Sequence, residues 1–276
     1  MAQQTANMLD GLQAAVITEA QKKNEDKQEY KFDALKMYFR EDYYVGNIRV
    51  VQPTIGNILT MGESNFYSGL SPLLYNSTSI RVMLWDSKID WCNVKDIEVF
   101  NILSTFSTEY TSMGLLFPDN DLHNFKLCNT NDPDTGEKVL CLYNEEEEEI
   151  IYENQYNEIA EYVRTLLNIH PKVEKAKGKT AKRWMIDEDR MNAAQRTNNN
   201  NSSTLLPLIS ACVNHPGFKY KLQELRDVGI YEFMDSVKRL QIYESSTALL
   251  NGSYSGFCDV SHIDREQFNF MREIHD

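Results

Sequence analysis

Ser203-Thr-Leu-Leu-Pro-Leu-Ile-Ser-Ala-Cys-Val-Asn-His-Pro-Gly-Phe218 is the stretch that sets the fold class. Its apolar residues recur at helical spacing, Pro207 sits in a first turn capped by Ser203 or Thr204, and Asn214-His-Pro-Gly217 is a stop. A second run follows at once. Ile230, Phe233, Met234, Val237 and Leu240 share one helical face, with Glu232 and Asp235 early and Lys238 and Arg239 later, the charge order that complements a helix dipole. Residues 205–276 therefore read as a helical domain. Those five apolar residues are the candidate partner-binding face, although the commonest use of such a stripe is core.

Working upstream, Thr197-Asn-Asn-Asn-Asn-Ser-Ser203 is a linker signal, because short polar side chains cannot bury enough surface to order themselves. Lys172 to Arg183 places six basic side chains against one acidic, Glu174. Together these mark 171–204 as a basic, Asn-rich linker. The acidic run Glu145 to Glu149 pairs with it along the chain as a charge dipole, which is ordinarily solvated surface. Between them Tyr156, Ile159, Ala160, Val163, Leu166 and Leu167 lie on one face of a predicted helix.

Residues 30–170 read as a mixed α+β domain. Met37-Tyr-Phe39 and Ile48-Arg-Val-Val51, separated around Val45-Gly46-Asn47, suggest a β-hairpin. Pro53 is expected to open a helix carrying Ile55, Ile58, Leu59 and Met61, with Gly56 and Gly62 arguing against it. Ser64 to Phe117 suits several short helices, one capped by Asp96. Phe125-Lys-Leu-Cys128 and Val139-Leu-Cys-Leu-Tyr143 bracket a long polar turn and read as a second hairpin; Cys128 and Cys141 flank it and could face each other, although service as small buried hydrophobes is the commoner use. Ahead of all this, Met8, Leu9, Leu12, Val16 and Ala20 describe an amphipathic helix that fades into a polar linker, giving a segment 1–29 able to dock on the main domain or on another subunit. The expected fold is α+β, mainly α-helical, with an N-terminal lobe of short hairpins plus helices and a C-terminal helical lobe.

Charge and composition exclude several functions. With 41 acidic against 28 basic residues and a net charge of −13, the chain lacks the basic balance of a nucleic-acid binder. The five cysteines are scattered and contain no C-x-x-C pair, so they read as reduced thiols in a cytoplasmic protein rather than a disulfide framework or a zinc site. No stretch is long and apolar enough for a bilayer, and the N-terminus has no basic, then apolar, leader pattern.

Catalytic signatures are equally sparse. No phosphate-cradling glycine loop is present, and Gly252-Ser-Tyr-Ser-Gly256 places serine at the wrong position for a nucleophile elbow. His262, Asp264 and Glu266, or His215 near Cys212, would need further ligands or an orienting acid. Trp85-Asp-Ser-Lys-Ile-Asp-Trp91 offers two carboxylates between tryptophans, readable as a sugar cleft but more simply as two buried anchors around an exposed turn. Trp184 in the basic arm could stack a nucleobase, which the overall acidity opposes. No cofactor or metal is expected, and the chain reads as a non-enzymatic protein.

Leu205 to Gly217, Tyr231-Glu-Phe-Met-Asp-Ser-Val-Lys-Arg-Leu240, Leu250 to Gly256, Asn269-Phe-Met271 and Ile48-Arg-Val-Val-Gln-Pro-Thr-Ile-Gly-Asn-Ile58 together resemble a family of tail assembly chaperones, or tail morphogenesis proteins, from tailed bacteriophages of Gram-positive hosts. The resemblance touches roughly residues 45 to 110 and 200 to 273. It implies a factor acting in the cytoplasm of the infected host. Its partners would be the long helical tape measure protein, held in solution, and the tail tube protein that polymerises around it. Such chaperones are often made with a frameshifted longer form. A structural virion component, such as a connector or baseplate subunit, is the competing class, and a host-directed effector the third.

Overall fold

The computed structural model describes residues 30–106, 111–131, 136–196, 203–256 and 261–274. The amphipathic segment around Met8 to Ala20 and most of the Asn run fall outside them. In chain order the first elements are α1 (Ala34–Tyr38), β1 (Tyr43–Val45), β2 (Ile48–Val50), α2 (Ile55–Met61), α3 (Glu63–Leu74), α4 (Arg81–Asp86), α5 (Asp96–Phe106) and α6 (Thr111–Leu116). Strands β3 (Lys126–Asn131), β4 (Lys138–Asn144) and β5 (Glu149–Tyr152) follow, then α7 (Glu153–Leu167), α8 (Lys179–Arg196), α9 (Leu205–Asn214) and α10 (Ile230–Ser255). The protein is thus α+β and mainly helical. No helix of the described residues is long and apolar enough to cross a membrane.

Two compact units emerge, and their borders differ from the expected 30–170 and 205–276. Among the described residues the first holds 30–33, 42–51 and 64–196, and the second holds 34–41, 52–63 and 203–274.

In the first unit, β1 and β2 pair antiparallel with Val45 opposite Ile48, and Gly46 at φ 58° supplies the left-handed residue of a two-residue turn. So tight a turn makes the partner of Ile48–Val50 the three residues just before Gly46. Met37-Tyr-Phe39 is therefore not the first strand. The second hairpin forms as expected and gains a third strand, in the order β3-β4-β5. The acidic residues Glu145 to Glu148 make the exposed β4–β5 turn, where their charges meet water. Helix α7 buries all six residues of its predicted face, together with Tyr162 and Arg164. Its Tyr156 meets Phe100 of α5 edge-on at 5.5 Å, and Phe66, Leu70, Leu73 and Ile97 of the same unit are also fully buried. Asp96 is the first residue of α5 rather than its cap, and its carboxylate pairs with Arg164 at 2.9 Å.

Residues 171–196, expected to belong to a linker, are built into this unit. The segment before α8 is held by side chains: Asn76 Nδ2 donates to the Lys172 carbonyl (2.9 Å), Trp91 Nε1 to that of Glu174 (3.1 Å), and Lys175 Nζ reaches the Cys92 carbonyl (2.7 Å). Met185 and Ile186 of α8 then join Ile80, Leu84, Trp91, Val99 and Ala176 in a second apolar cluster. Two well-buried apolar side chains and a set of ion pairs order a helix that composition alone marks as solvated.

In the second unit, Thr54 caps α2 by a reciprocal arrangement: the Asn57 N–H donates to Thr54 Oγ1 (3.1 Å) and the Thr54 N–H to Asn57 Oδ1 (2.9 Å). Pro53 lies just before that cap and not inside the first turn. Its carbonyl instead accepts from the Ile230 N–H (3.0 Å), while the Ile55 N–H donates to the Val228 carbonyl (3.0 Å), so the starts of α2 and α10 are stitched together. Helix α10 runs far past the predicted Leu240 and ends where Gly256 turns left-handed at φ 70°. The C-terminal segment folds back on it, with Arg239 donating to the carbonyls of Phe270 (2.9 Å) and Arg272 (2.8 Å) and Ser246 to that of Gln267 (2.8 Å).

Candidate functional site

The five residues of the predicted partner face divide along α10. Ile230 and Phe233 are completely buried, where the stitched helix starts close over them, and they present no surface in this conformation. Met234, Val237 and Leu240 are half-buried. Residues one turn apart on one stripe thus occupy different environments: the backbone bond from the start of α2 reaches only the first residue of α10.

Other apolar side chains of this unit face outward more fully. Helix α1 buries Met37 on one side and exposes Leu35 on the other, and Phe39, the residue after the helix, is exposed too, 67% and 71% accessible for Leu35 and Phe39. The Phe39 N–H donates to the Leu35 carbonyl at 3.0 Å, so the two side chains stack one turn apart on a single face. Leu206 on α9, Leu222 and Met271 are also mostly exposed. Sequence reading missed the Leu35–Phe39 pair because it placed Phe39 in a strand; the i, i+4 spacing was the available signal.

The chemical candidates resolve into structural roles. Trp91 is wholly buried. Asp90 caps the short 3-10 turn Trp91–Asn93 through the Cys92 N–H (3.2 Å) and pairs with Lys182 Nζ at 2.5 Å, a hydrogen bond that is the main cause of its lowered pKa. Asp86 pairs with Arg190. Both carboxylates of the would-be cleft are therefore taken up in holding α8, and so is Lys182 of the basic arm. His215 Nδ1 accepts from the Gly217 N–H (3.0 Å) while its Nε2 faces Glu244 Oε1 at 2.9 Å, which makes it the turn residue that Asn214-His-Pro-Gly217 suggests. Burial pushes the nearby Cys212 thiol up. Asp264 caps the 3-10 turn Arg265–Phe268, accepting from the Glu266 N–H at 3.1 Å. Among the described residues no group of three or more His, Cys, Asp or Glu side chains is placed to hold a metal ion. Gly252-Ser-Tyr-Ser lies within the last turn of α10, with Gly256 as its terminator.

No known family model, curated protein or solved structure matches the chain. The candidate site is accordingly the set of exposed apolar side chains of the second unit, Leu35, Phe39, Leu206, Leu222 and Met271 among them.

Proposed function

We propose that this protein is a non-enzymatic phage tail assembly factor, a chaperone that binds the tape measure protein and promotes assembly of tail tube protein around it in the infected cell. The observation that carries this reading is the exposed pair Leu35 of α1 and Phe39 just after it, accompanied by exposed Leu206 and Leu222 in the same unit. Apolar side chains at one-turn spacing are what an amphipathic client helix packs against. The net charge of −13 supports the same role, because a carrier of an aggregation-prone helix must keep the complex soluble. The segments that resemble tail assembly chaperones include Leu205–Gly217, which supplies Leu206, and Tyr231–Leu240, which supplies Met234 and Val237.

The test is purification of the tagged full chain from the cells that make it, together with a search for it in finished particles. Recovery of a long helical tail protein, with tail tube protein in lesser amount and no copy in the particle, supports the chaperone reading. Stoichiometric retention in particles would make it a connector or baseplate subunit instead.

A further inference from the structure

Cys128 of β3 stands directly opposite Cys141 of β4 in the antiparallel register. Residues so paired have Cα atoms about 4.5 or 5.5 Å apart according to the type of pair, and both separations lie within the span of a disulfide. The two Sγ atoms are 3.2 Å apart, and both thiols are free. Cys141 is 1% exposed, whereas Cys128 is half-buried and therefore the one that solutes reach first. The neighbouring pair Leu127 and Leu142 points to the opposite face of the ladder, so the two cysteines share one face.

We propose that Cys128 and Cys141 form a redox site that hydrogen peroxide oxidises to an intramolecular disulfide. In the first step the Cys128 thiolate attacks one peroxide oxygen, the O–O bond breaks, and Cys128 becomes a sulfenic acid as one water leaves. In the second the Cys141 sulfur attacks the Cys128 sulfur, the S–O bond breaks, and the hydroxyl departs with the Cys141 proton as a second water. Two thiols lose two electrons and the peroxide gains them. The order follows from access: Cys128 is half-buried and Cys141 almost fully buried, and the burial that pushes the Cys141 thiol up further disfavours it as the first nucleophile. The bond would close the β3–β4 hairpin across 13 positions of chain and lock its register.

Cleavage after Lys126 and Lys138 puts the two cysteines on separate peptides, so the bond is directly readable. The full chain is reduced, treated with hydrogen peroxide, trapped with N-ethylmaleimide, digested and mapped by mass spectrometry without reduction. The expected product is the Cys128 peptide joined to the Cys141 peptide with two hydrogens missing. It should revert on addition of dithiothreitol and form roughly tenfold or more faster in the folded chain than in urea, since the fold supplies the proximity. Recovery of both cysteines as maleimide adducts overturns the proposal. So does a Cys128 sulfinic acid beside alkylated Cys141, a bond from either to another cysteine, or equal rates folded and unfolded.

Discussion

Arg81 and Asp189 meet in a two-point ion pair, Nε to Oδ2 at 2.5 Å and a terminal guanidinium nitrogen to Oδ1 at 2.7 Å, although 108 positions of chain separate them. Arg81 is 7% exposed, and its other terminal nitrogen reaches Glu174 Oε2 at 2.6 Å. A guanidinium buried this far is tolerable only while carboxylates face it. Asp189→Ala leaves Arg81 with Glu174 alone and is expected to destabilise the protein by about 2–3 kcal/mol. Arg183→Ala breaks only the 3.7 Å contact with Asp187 at a surface where the side chains are 78% and 54% exposed, and should change stability by less than about 0.5 kcal/mol. Urea unfolding of the two variants beside the wild type tests the contrast; equal effects would refute it.

Arg164 is a second buried cation with a different task. Its Nε donates to the Leu73 carbonyl (3.0 Å) and a terminal nitrogen to that of Tyr75 (3.1 Å), groups that the C-terminus of α3 leaves without helical partners, and it also pairs with Asp96. Arg164→Ala strands the buried Leu73 carbonyl, the part-buried Tyr75 carbonyl and a carboxylate, with an expected loss of about 3 kcal/mol. Arg164→Lys keeps the charge but not the fork of donors, so it should recover only part of that loss. Full rescue by lysine in thermal unfolding would show that charge, and not carbonyl capping, is what matters.

Glu63 ties the N-terminal end of α9. Its Oε1 accepts from the N–H groups of Thr204 (2.7 Å) and Leu205 (3.0 Å) and from the Thr204 hydroxyl, and its Oε2 from the Ser203 hydroxyl. Burial alone raises its pKa, but the hydrogen bonds from Ser203, Thr204 and Leu205 outweigh that and hold the carboxyl below its ordinary 4.5. A lowered folded pKa means stability that is fully present above the unfolded value and lost as pH falls through the folded one. Glu63→Gln should therefore be less stable than the wild type by about 1 kcal/mol at neutral pH, and the gap should close in acid. A gap that stays constant or widens as pH falls would contradict the assignment.

How far local pattern reached depends on what stabilises each element. Helix α7 was legible because six apolar residues at one period all face the core. The β3–β4 hairpin was legible because a polar turn separates two β-rich runs. Helix α8 was not: apart from Met185 and Ile186 its anchors are Arg81, Asp90 and Asp86, each about a hundred positions away and invisible to any local window. The partner face shows the same limit from the other side. Ile230 and Phe233 match Met234, Val237 and Leu240 in type and spacing, and only tertiary packing tells which are core.

Leu35 and Phe39 give the functional reading its sharpest test. Both are mostly exposed, so Leu35→Ser with Phe39→Ser should leave stability within about 0.5 kcal/mol of the wild type. The double variant should nevertheless recover much less tape measure protein on purification. Undiminished recovery with an unchanged melting temperature would remove this face from the client surface.

Gly56 and Gly114 both lie inside helices, and intrinsic propensity says that alanine should stabilise each by up to about 1 kcal/mol. Their surroundings decide otherwise for one of them. A Cβ on Gly56 would stand 2.6 Å from the Arg226 carbonyl oxygen, and that backbone cannot retreat easily because the Val228 carbonyl two residues on is bonded to the Ile55 N–H. A Cβ on Gly114 meets no atom within 4 Å. Gly56→Ala is therefore expected to destabilise by about 1–3 kcal/mol, the clash exceeding the propensity gain, whereas Gly114→Ala should stabilise by about 0.5–1 kcal/mol. Calorimetric melting temperatures should move in opposite directions, and a stabilising Gly56→Ala would show that the close approach of α2 to the 224–227 turn is not a constraint on the fold.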